Sequence, residues 1–296
     1  MQSFEVTVPG KWILAGEHAV LRGHEALVFP LFNKYLKLHY KKNQSELKLV
    51  ISGEKKEELE LIAWSVLEKA CQSLGLRRVN LCGELEMTSH IALGGGTGAS
   101  ATLCVALTEW LSFLGRVKEE KKFLFARELE NLFHGESSGV DVAVTLQKVP
   151  LIFNRNSGFQ NFTMRSAPAL YLSYSGERGV TKDCVEKVKF LFSQDEDKAR
   201  RIDAQMQSAV ERFKRLLQEP TVDLQQWTQA LQEGQSCFEQ WGLVTERVRL
   251  HQQQLLAHGA LAVKLTGSGG GGYSLSLWNE PPLKAIPFEM IACFSQ

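Results

Sequence analysis

SHIALGGGTGASA, residues 89–101, is the stretch on which the reading of this chain turns. Its four glycines are Gly94, Gly95, Gly96 and Gly98. The apolar positions that follow, Leu103, Leu107, Trp110 and Leu111, recur at helical spacing. A glycine loop that opens a helix presents free main-chain N–H groups at the positive end of the helix dipole. That is an anion site, and phosphate is the usual anion. The same residues also fit a flexible loop with Ser100 as the helix cap, and glycine alone does not decide between the two. The loop is not a Walker A motif, which must end in Gly-Lys followed by Ser or Thr; here Gly98 is followed by Ala99 and Ser100.

A second cluster lies near the C-terminus: Gly267, Gly269, Gly270, Gly271 and Gly272. The two clusters together hold 9 of the 24 glycines, so glycine is concentrated rather than scattered through turns. Gly267, Gly269 and Gly272 match the spacing G-x-G-x-x-G. The residues after them, Tyr273 to Trp278, alternate like a strand, whereas a dinucleotide fingerprint must open a helix. A nicotinamide-dependent oxidoreductase is therefore disfavoured. A strand, glycine loop and strand fit a main chain packed tightly on a neighbour or a ligand.

Between and around the clusters the chain alternates β and α patterns. Phe4, Val6 and Val8 predict a strand, Leu27 to Tyr40 an extended stretch, and Leu47, Leu49 and Ile51 a second arm of a hairpin after the turn at 42–44. Leu59, Ile62, Val66 and Ala70 predict a helix, and Val79 to Met87 a strand. Helices are expected over 101–114 and 119–133, and most of 194–258 reads as helical. Short strands are expected at 151–153, 170–172, 262–265 and 273–278. This order is α+β rather than regular βαβ winding. The polar, glycine-containing stretch at 155–168 predicts a boundary, giving an N-terminal lobe over 1–160 and a C-terminal lobe over 161–296.

Several polar residues interrupt apolar surroundings. Lys11 lies between the first strand and Trp12-Ile-Leu14, where a lysine either snorkels or meets an anion. Glu17 and His18 fit a buried, paired couple. Glu130 shares a helix face with Phe123 and Ala126. A carboxylate on an inward face needs a cation or donors, supplied by a salt bridge or by a metal. Asp141 follows the loop His134-Gly-Glu-Ser-Ser-Gly-Val and fits a helix cap or a positioned base.

The bulk numbers exclude several classes. The 296 residues carry a net charge of +1, which gives no electrostatic footprint for nucleic acid or a membrane surface. MQSFEVTVPGKW has no basic start before an apolar run, so no signal peptide is expected. The six cysteines form no CxxC clip and several lie in apolar segments, which predicts free thiols, a cytoplasmic setting and no zinc site.

In their order along the chain, these features resemble the GHMP kinase superfamily, and within it the mevalonate kinase family. The resemblance is carried by PGKWILAGEHAVLRG at 9–23, by residues 94–101, by the loop at 134–141, and by KLTGSGGGG at 264–272. It implies a two-lobed α+β GHMP fold and an ATP-dependent phosphotransferase that converts mevalonate to 5-phosphomevalonate for isoprenoid precursor biosynthesis. It implies catalytic roles for Lys11 and Asp141. The ATP phosphates would lie on Gly94, Gly95, Gly96, Thr97, Gly98, Ala99 and Ser100, and Mg²⁺ on Ser100 and Glu130. The acceptor side would be formed by Glu17, His18, Thr181 and Gly269. It leaves room for a homodimer, which no segment of the sequence specifies. The chain departs from the family pattern at Ala99, where a serine is usual, at Ser137, where proline is common, and at Val142, where asparagine is common. These changes bear on acceptor choice more than on phosphoryl transfer. Two further readings are another GHMP kinase, acting on phosphomevalonate or a different alcohol, and a non-catalytic nucleotide-binding paralogue. Retention of Lys11, Ser100, Glu130 and Asp141 disfavours the second.

Overall fold

The computed structural model describes residues 3–53, 56–91, 95–134, 137–282 and 286–294. They form two compact units whose pieces alternate along the chain. The first takes Met1–Lys11, Phe32–Leu93 and Thr97–Lys148, the second Trp12–Leu31, Gly94–Gly96 and Val149–Gln296. A single cut at residue 160 does not generate this grouping. The cause is strand length: β1 (Ser3–Ala15) and β2 (Glu25–Glu46) have 13 and 22 residues. Each is long enough to give its two parts to different cores.

In the first unit β4 (Cys82–Ser89) is the central strand. It runs antiparallel to β2 with Leu36 opposite Ser89 and Leu38 opposite Met87, and parallel to β3 (Lys48–Gly53) with Leu49 opposite Leu85. The expected hairpin between the second and third strands is therefore corrected. Near Leu47, whose N–H donates to the Leu81 carbonyl at 3.1 Å, the chain crosses the start of β4 and pairs on its far side. Alternation at 47–51 specified an extended segment but not its partner. Four helices complete the unit: α1 (Lys56–Ser73), α2 (Ala99–Phe113), α3 (Lys122–His134) and α4 (Val140–Gln147). Leu36, Leu38, Leu85 and Met87 pack with Leu59, Val66, Leu103, Leu107, Trp110 and Leu129 in one buried core. Each such side chain contributes about 1.5–3 kcal/mol by leaving water.

The second unit has its own core. The remaining residues of β2 pair with β5 (Leu151–Asn154), which pairs with β6 (Gly158–Asn161). A separate four-stranded antiparallel sheet has the order β10 (Ile291–Ala292), β7 (Ala169–Tyr174), β9 (Tyr273–Trp278), β8 (Ala262–Leu265). Helices α5 (Thr181–Gln194), α6 (Glu196–Gln218), α7 (Leu224–Gln240) and α8 (Glu246–Ala257) supply Val188, Met206, Phe213, Trp227, Phe238 and Val248 to the core. Three helix starts are written in the sequence as caps. Asp195 accepts from Lys198 N, Asp223 from Gln225 N and Gln226 N, and Thr245 from Val248 N. All six cysteines are free; Cys71, Cys104, Cys184, Cys237 and Cys293 are buried and Cys82 is half-buried. Among the described residues no helix is long and apolar enough to cross a membrane.

Candidate active site

The first unit assembles one constellation around the glycine loop. Lys11 N–H, on β1, donates to the Thr97 carbonyl at 3.0 Å. A Cβ at Gly10 would lie 2.9 Å from that same oxygen, so glycine is what lets the loop lie on the strand. Gly98 precedes α2 with φ of 85°, and a Cβ there would meet the Lys11 side chain at 2.8 Å. Ser100 is therefore not the cap residue: it is the second residue of α2.

Lys11 Nζ stands 3.0 Å from Asp141 Oδ2, with the lysine side chain 5% and the aspartate 22% exposed. Asp141 is likewise not a cap. Gly139 precedes α4 with φ of 87°, and Asp141 sits in the first turn, where the helix dipole favours its charge. Snorkelling is ruled out for Lys11, because its ammonium is turned inward onto a carboxylate.

Glu130, on α3, is buried within reach of that aspartate's charge. Burial first, and the charge of Asp141 next, push its carboxyl up to about 8. Its Oε2 accepts a short hydrogen bond from the Ser137 hydroxyl, while Oε1 is buried without a hydrogen-bond partner. Of the two partners the sequence left open for Glu130, the salt bridge is not found among the described contacts; a hydroxyl donates to it instead. The Ser137 hydroxyl also accepts from Gly139 N at 3.0 Å, and Ser137 N donates to Asn131 Oδ1 at 2.8 Å. Cys104 is raised well above the ordinary thiol value by burial and then by Glu130. Cys104 lies one helical turn beyond Ser100, so Ser100 belongs to the α2 face that looks toward this carboxylate.

An acid with one buried oxygen lacking a partner fits a hard divalent cation, and Ser100 on the neighbouring helix adds a second hard oxygen. Among the described residues no three His, Cys, Asp or Glu side chains gather into a cage of their own. Mg²⁺ sites of the kinase kind need only one or two protein oxygens, the rest coming from phosphate and water.

The second unit holds the other expected residues. Lys264 Nζ donates to Glu17 Oε1 and to the Leu265 carbonyl, both at 2.6 Å, and lies 4.9 Å from the Phe238 ring centre. Both side chains are essentially inaccessible. Burial lowers the Lys264 pKa and Glu17 opposes it. Gly234 on α7 makes room, since a Cβ there would stand 2.7 Å from Lys264 Cδ. His18, at φ of 56°, has Nε2 2.8 Å from the Ser268 carbonyl. Burial brings its pKa down to about 4. The ring is thus neutral near pH 7 and donates from Nε2, leaving Nδ1 an acceptor, buried and without a hydrogen-bond partner. Thr181, the first residue of α5, donates from its hydroxyl to Ser268 Oγ at 3.3 Å. The Gly269 carbonyl accepts from Cys184 Sγ at 3.3 Å. Gly95 and Gly96 belong to this unit and pack on its glycine loop: a Cβ at Gly272 would stand 3.2 Å from the Gly95 carbonyl, and one at Gly267 3.7 Å from that of Gly96. Gly94 lies outside the described residues.

Lys11, Asp141 and Glu130 are thus brought together in one unit, and Glu17, His18, Thr181 and Gly269 in the other around Lys264 and Ser268. Sequence reasoning assigned no site role to Lys264, Ser268 or Ser137. Ser268 had a signal in its place within the second glycine cluster, and Lys264 in the KLTGSGGGG stretch that contains the cluster. Ser137 had one only as a departure from proline.

Comparison with known proteins shows what the chain is similar to. Residues 61–148 match the model described as GHMP kinases N terminal domain, the span from α1 to α4 that holds Ser100, Glu130 and Asp141. The mevalonate kinase of Pyrococcus horikoshii is 23% identical over 301 residues, covering 92% of this chain and 87% of the relative. The solved L. major mevalonate kinase in complex with R-mevalonate superposes with a TM-score of 0.77 at 22% identity, covering 94% of this chain and 87% of that one. The Methanococcus jannaschii mevalonate kinase does so with a TM-score of 0.78 at 16% identity, covering 99% of both chains. The chain has the α+β fold of the GHMP kinases, matches the model of their N-terminal domain over residues 61–148, and is similar to mevalonate kinases.

Proposed function

We propose that this chain is an ATP-dependent kinase that phosphorylates mevalonate to 5-phosphomevalonate, working in the cytoplasm and feeding isoprenoid precursor synthesis. The observation that carries the reading is the Lys11–Asp141 pair at 3.0 Å beside the buried Glu130 carboxylate with its unpartnered oxygen. Phosphoryl transfer needs positioning and charge neutralisation more than covalent help. Asp141 accepts the proton of the attacking hydroxyl. Lys11 holds that carboxylate in place through the 3.0 Å ion pair and offsets charge that develops on the transferred group. The main-chain N–H groups of the loop up to Ser100 and the start of α2 hold the phosphates. Glu130 and Ser100 would hold Mg²⁺, which would neutralise phosphate charge during transfer. On the acceptor side, neutral His18 offers Nδ1 to a hydroxyl, while Lys264 holds Glu17 in place and Ser268 links His18 to Thr181.

One well-placed charge-stabilising group is worth roughly 3–4 kcal/mol of barrier. Lys11→Met and Asp141→Asn are each expected to cut turnover at least about a hundredfold, with the melting temperature and ATP binding as controls for the fold. Near-normal turnover in both variants would refute the roles.

The acceptor is tested by ADP release against mevalonate, phosphomevalonate, homoserine, galactose and shikimate. Turnover on mevalonate alone supports the reading. The departures at Ala99, Ser137 and Val142 favour a second reading, another alcohol as acceptor, which turnover elsewhere in the panel would select.

A further inference from the structure

Ser137 occupies a junction that the family resemblance does not account for, since proline is common at this position in mevalonate kinases and proline has no hydroxyl. Here the hydroxyl does two things at once. It donates to Glu130 Oε2, and it accepts the Gly139 N–H at 3.0 Å. Ser137's own N–H is held by Asn131 Oδ1 at 2.8 Å, one residue beyond Glu130 on α3. The side chain is buried, so water does not compete for these bonds. The bond to Oε2 restrains the Glu130 carboxylate, and Oε1 is the oxygen left without a hydrogen-bond partner. Gly139 leads directly into α4, whose first turn carries Asp141.

We propose that Ser137 is a positioning residue for the divalent cation: its hydroxyl fixes the Glu130 carboxylate with Oε1 presented for coordination and ties that carboxylate to the start of the helix bearing Asp141. The inference rests on the proposed kinase reading, and specifically on Glu130 as a cation ligand. A group that orients a ligand from behind typically changes metal affinity by about 10–100-fold when removed. Residues that merely fill space do not change metal affinity selectively.

The test uses Mn²⁺ as the probe, bound to the intact protein with the non-hydrolysable β,γ-imido analogue of ATP. Free Mn²⁺ is counted by electron paramagnetic resonance, and nucleotide affinity without metal is measured alongside. Ser137→Ala is expected to weaken Mn²⁺ binding at least about tenfold, with metal-free nucleotide affinity and melting temperature little changed. Ser137→Thr, which keeps a hydroxyl, is expected to restore it. Should Ser137→Ala bind Mn²⁺ like the wild type while Glu130→Gln loses it, Ser137 does not position the ligand. Wild-type affinity in Glu130→Gln overturns the inference at its root, because the cation then does not use that carboxylate. If Ser137→Ala unfolds, Ser137→Thr decides: failure of this variant to hold Mn²⁺ despite a native melt counts against the inference. These outcomes are separate from the acceptor question. A protein with this Mn²⁺ pattern but no turnover on mevalonate keeps the inference and loses the acceptor.

Discussion

Glu130 and His18 show how burial makes single residues legible through pH. The Glu130 carboxyl is raised from 4.5 to about 8, with burial the first cause and Asp141 the second. Across that window the folded chain keeps a proton that the unfolded chain has released, so stability declines as pH rises. Glu130→Gln removes the effect and is expected to exceed the wild type at pH 8 by about 1–3 kcal/mol without divalent cations. Melts at pH 7 and pH 8.5 check this, and identical slopes would count against it. His18 works in the opposite sense, since its pKa falls from 6.5 to about 4. Between those values the unfolded chain takes up a proton that the folded chain refuses. Stability is present above 6.5 and drains as pH falls toward 4, by about 3 kcal/mol. His18→Gln should flatten acid unfolding over that range; an unaltered acid limb would show the ring is not buried neutral. Glu130's inward face was readable from its spacing to Phe123 and Ala126. Its partner was not, because a serine across a loop has no periodic signature.

At the scale of elements, the glycine loops separate positions that need glycine from those that tolerate a side chain. Gly271 has φ of 138°, and a Cβ there would stand 2.7 Å from both the Glu177 carbonyl and Gly179 N, which are main-chain atoms that cannot swing aside. Gly158 has φ of 88° with nothing within 4 Å. Gly158→Ala should therefore lose only about 1–2 kcal/mol for its left-handed backbone. Gly271→Ala should lose distinctly more, read from urea midpoints of the two variants. Equal losses would mean the loop at 267–272 yields freely. The same loop shows the limit of motif spacing: it matches a dinucleotide fingerprint, yet it leads into β9 rather than a helix. Strand existence was likewise legible at 47–51 while pairing was not, because alternation encodes which face is buried and says nothing about which neighbour supplies the ladder.

At the scale of the molecule, chain order and compactness part company. Trp12, Leu14, Leu27, Phe29 and Leu31 come early in the sequence but belong to the core built mainly from residues 149 onward. A fragment of residues 1–160 would carry these side chains without most of that core. It is expected to aggregate more readily than the whole chain; sedimentation of both settles it. No local pattern announced this, because each long strand reads as one uninterrupted element.

The thiols offer a further use. Cys71 and Cys104 sit in one core, and Cys184, Cys237 and Cys293 in the other. Burial is the first cause raising each of these five above its ordinary pKa. At these five positions, unlike the half-buried Cys82, a brief pulse of alkylating reagent therefore marks only molecules that have momentarily come apart. Mass spectrometry of the tagged peptides would time each half's breathing separately, with no foreign label introduced.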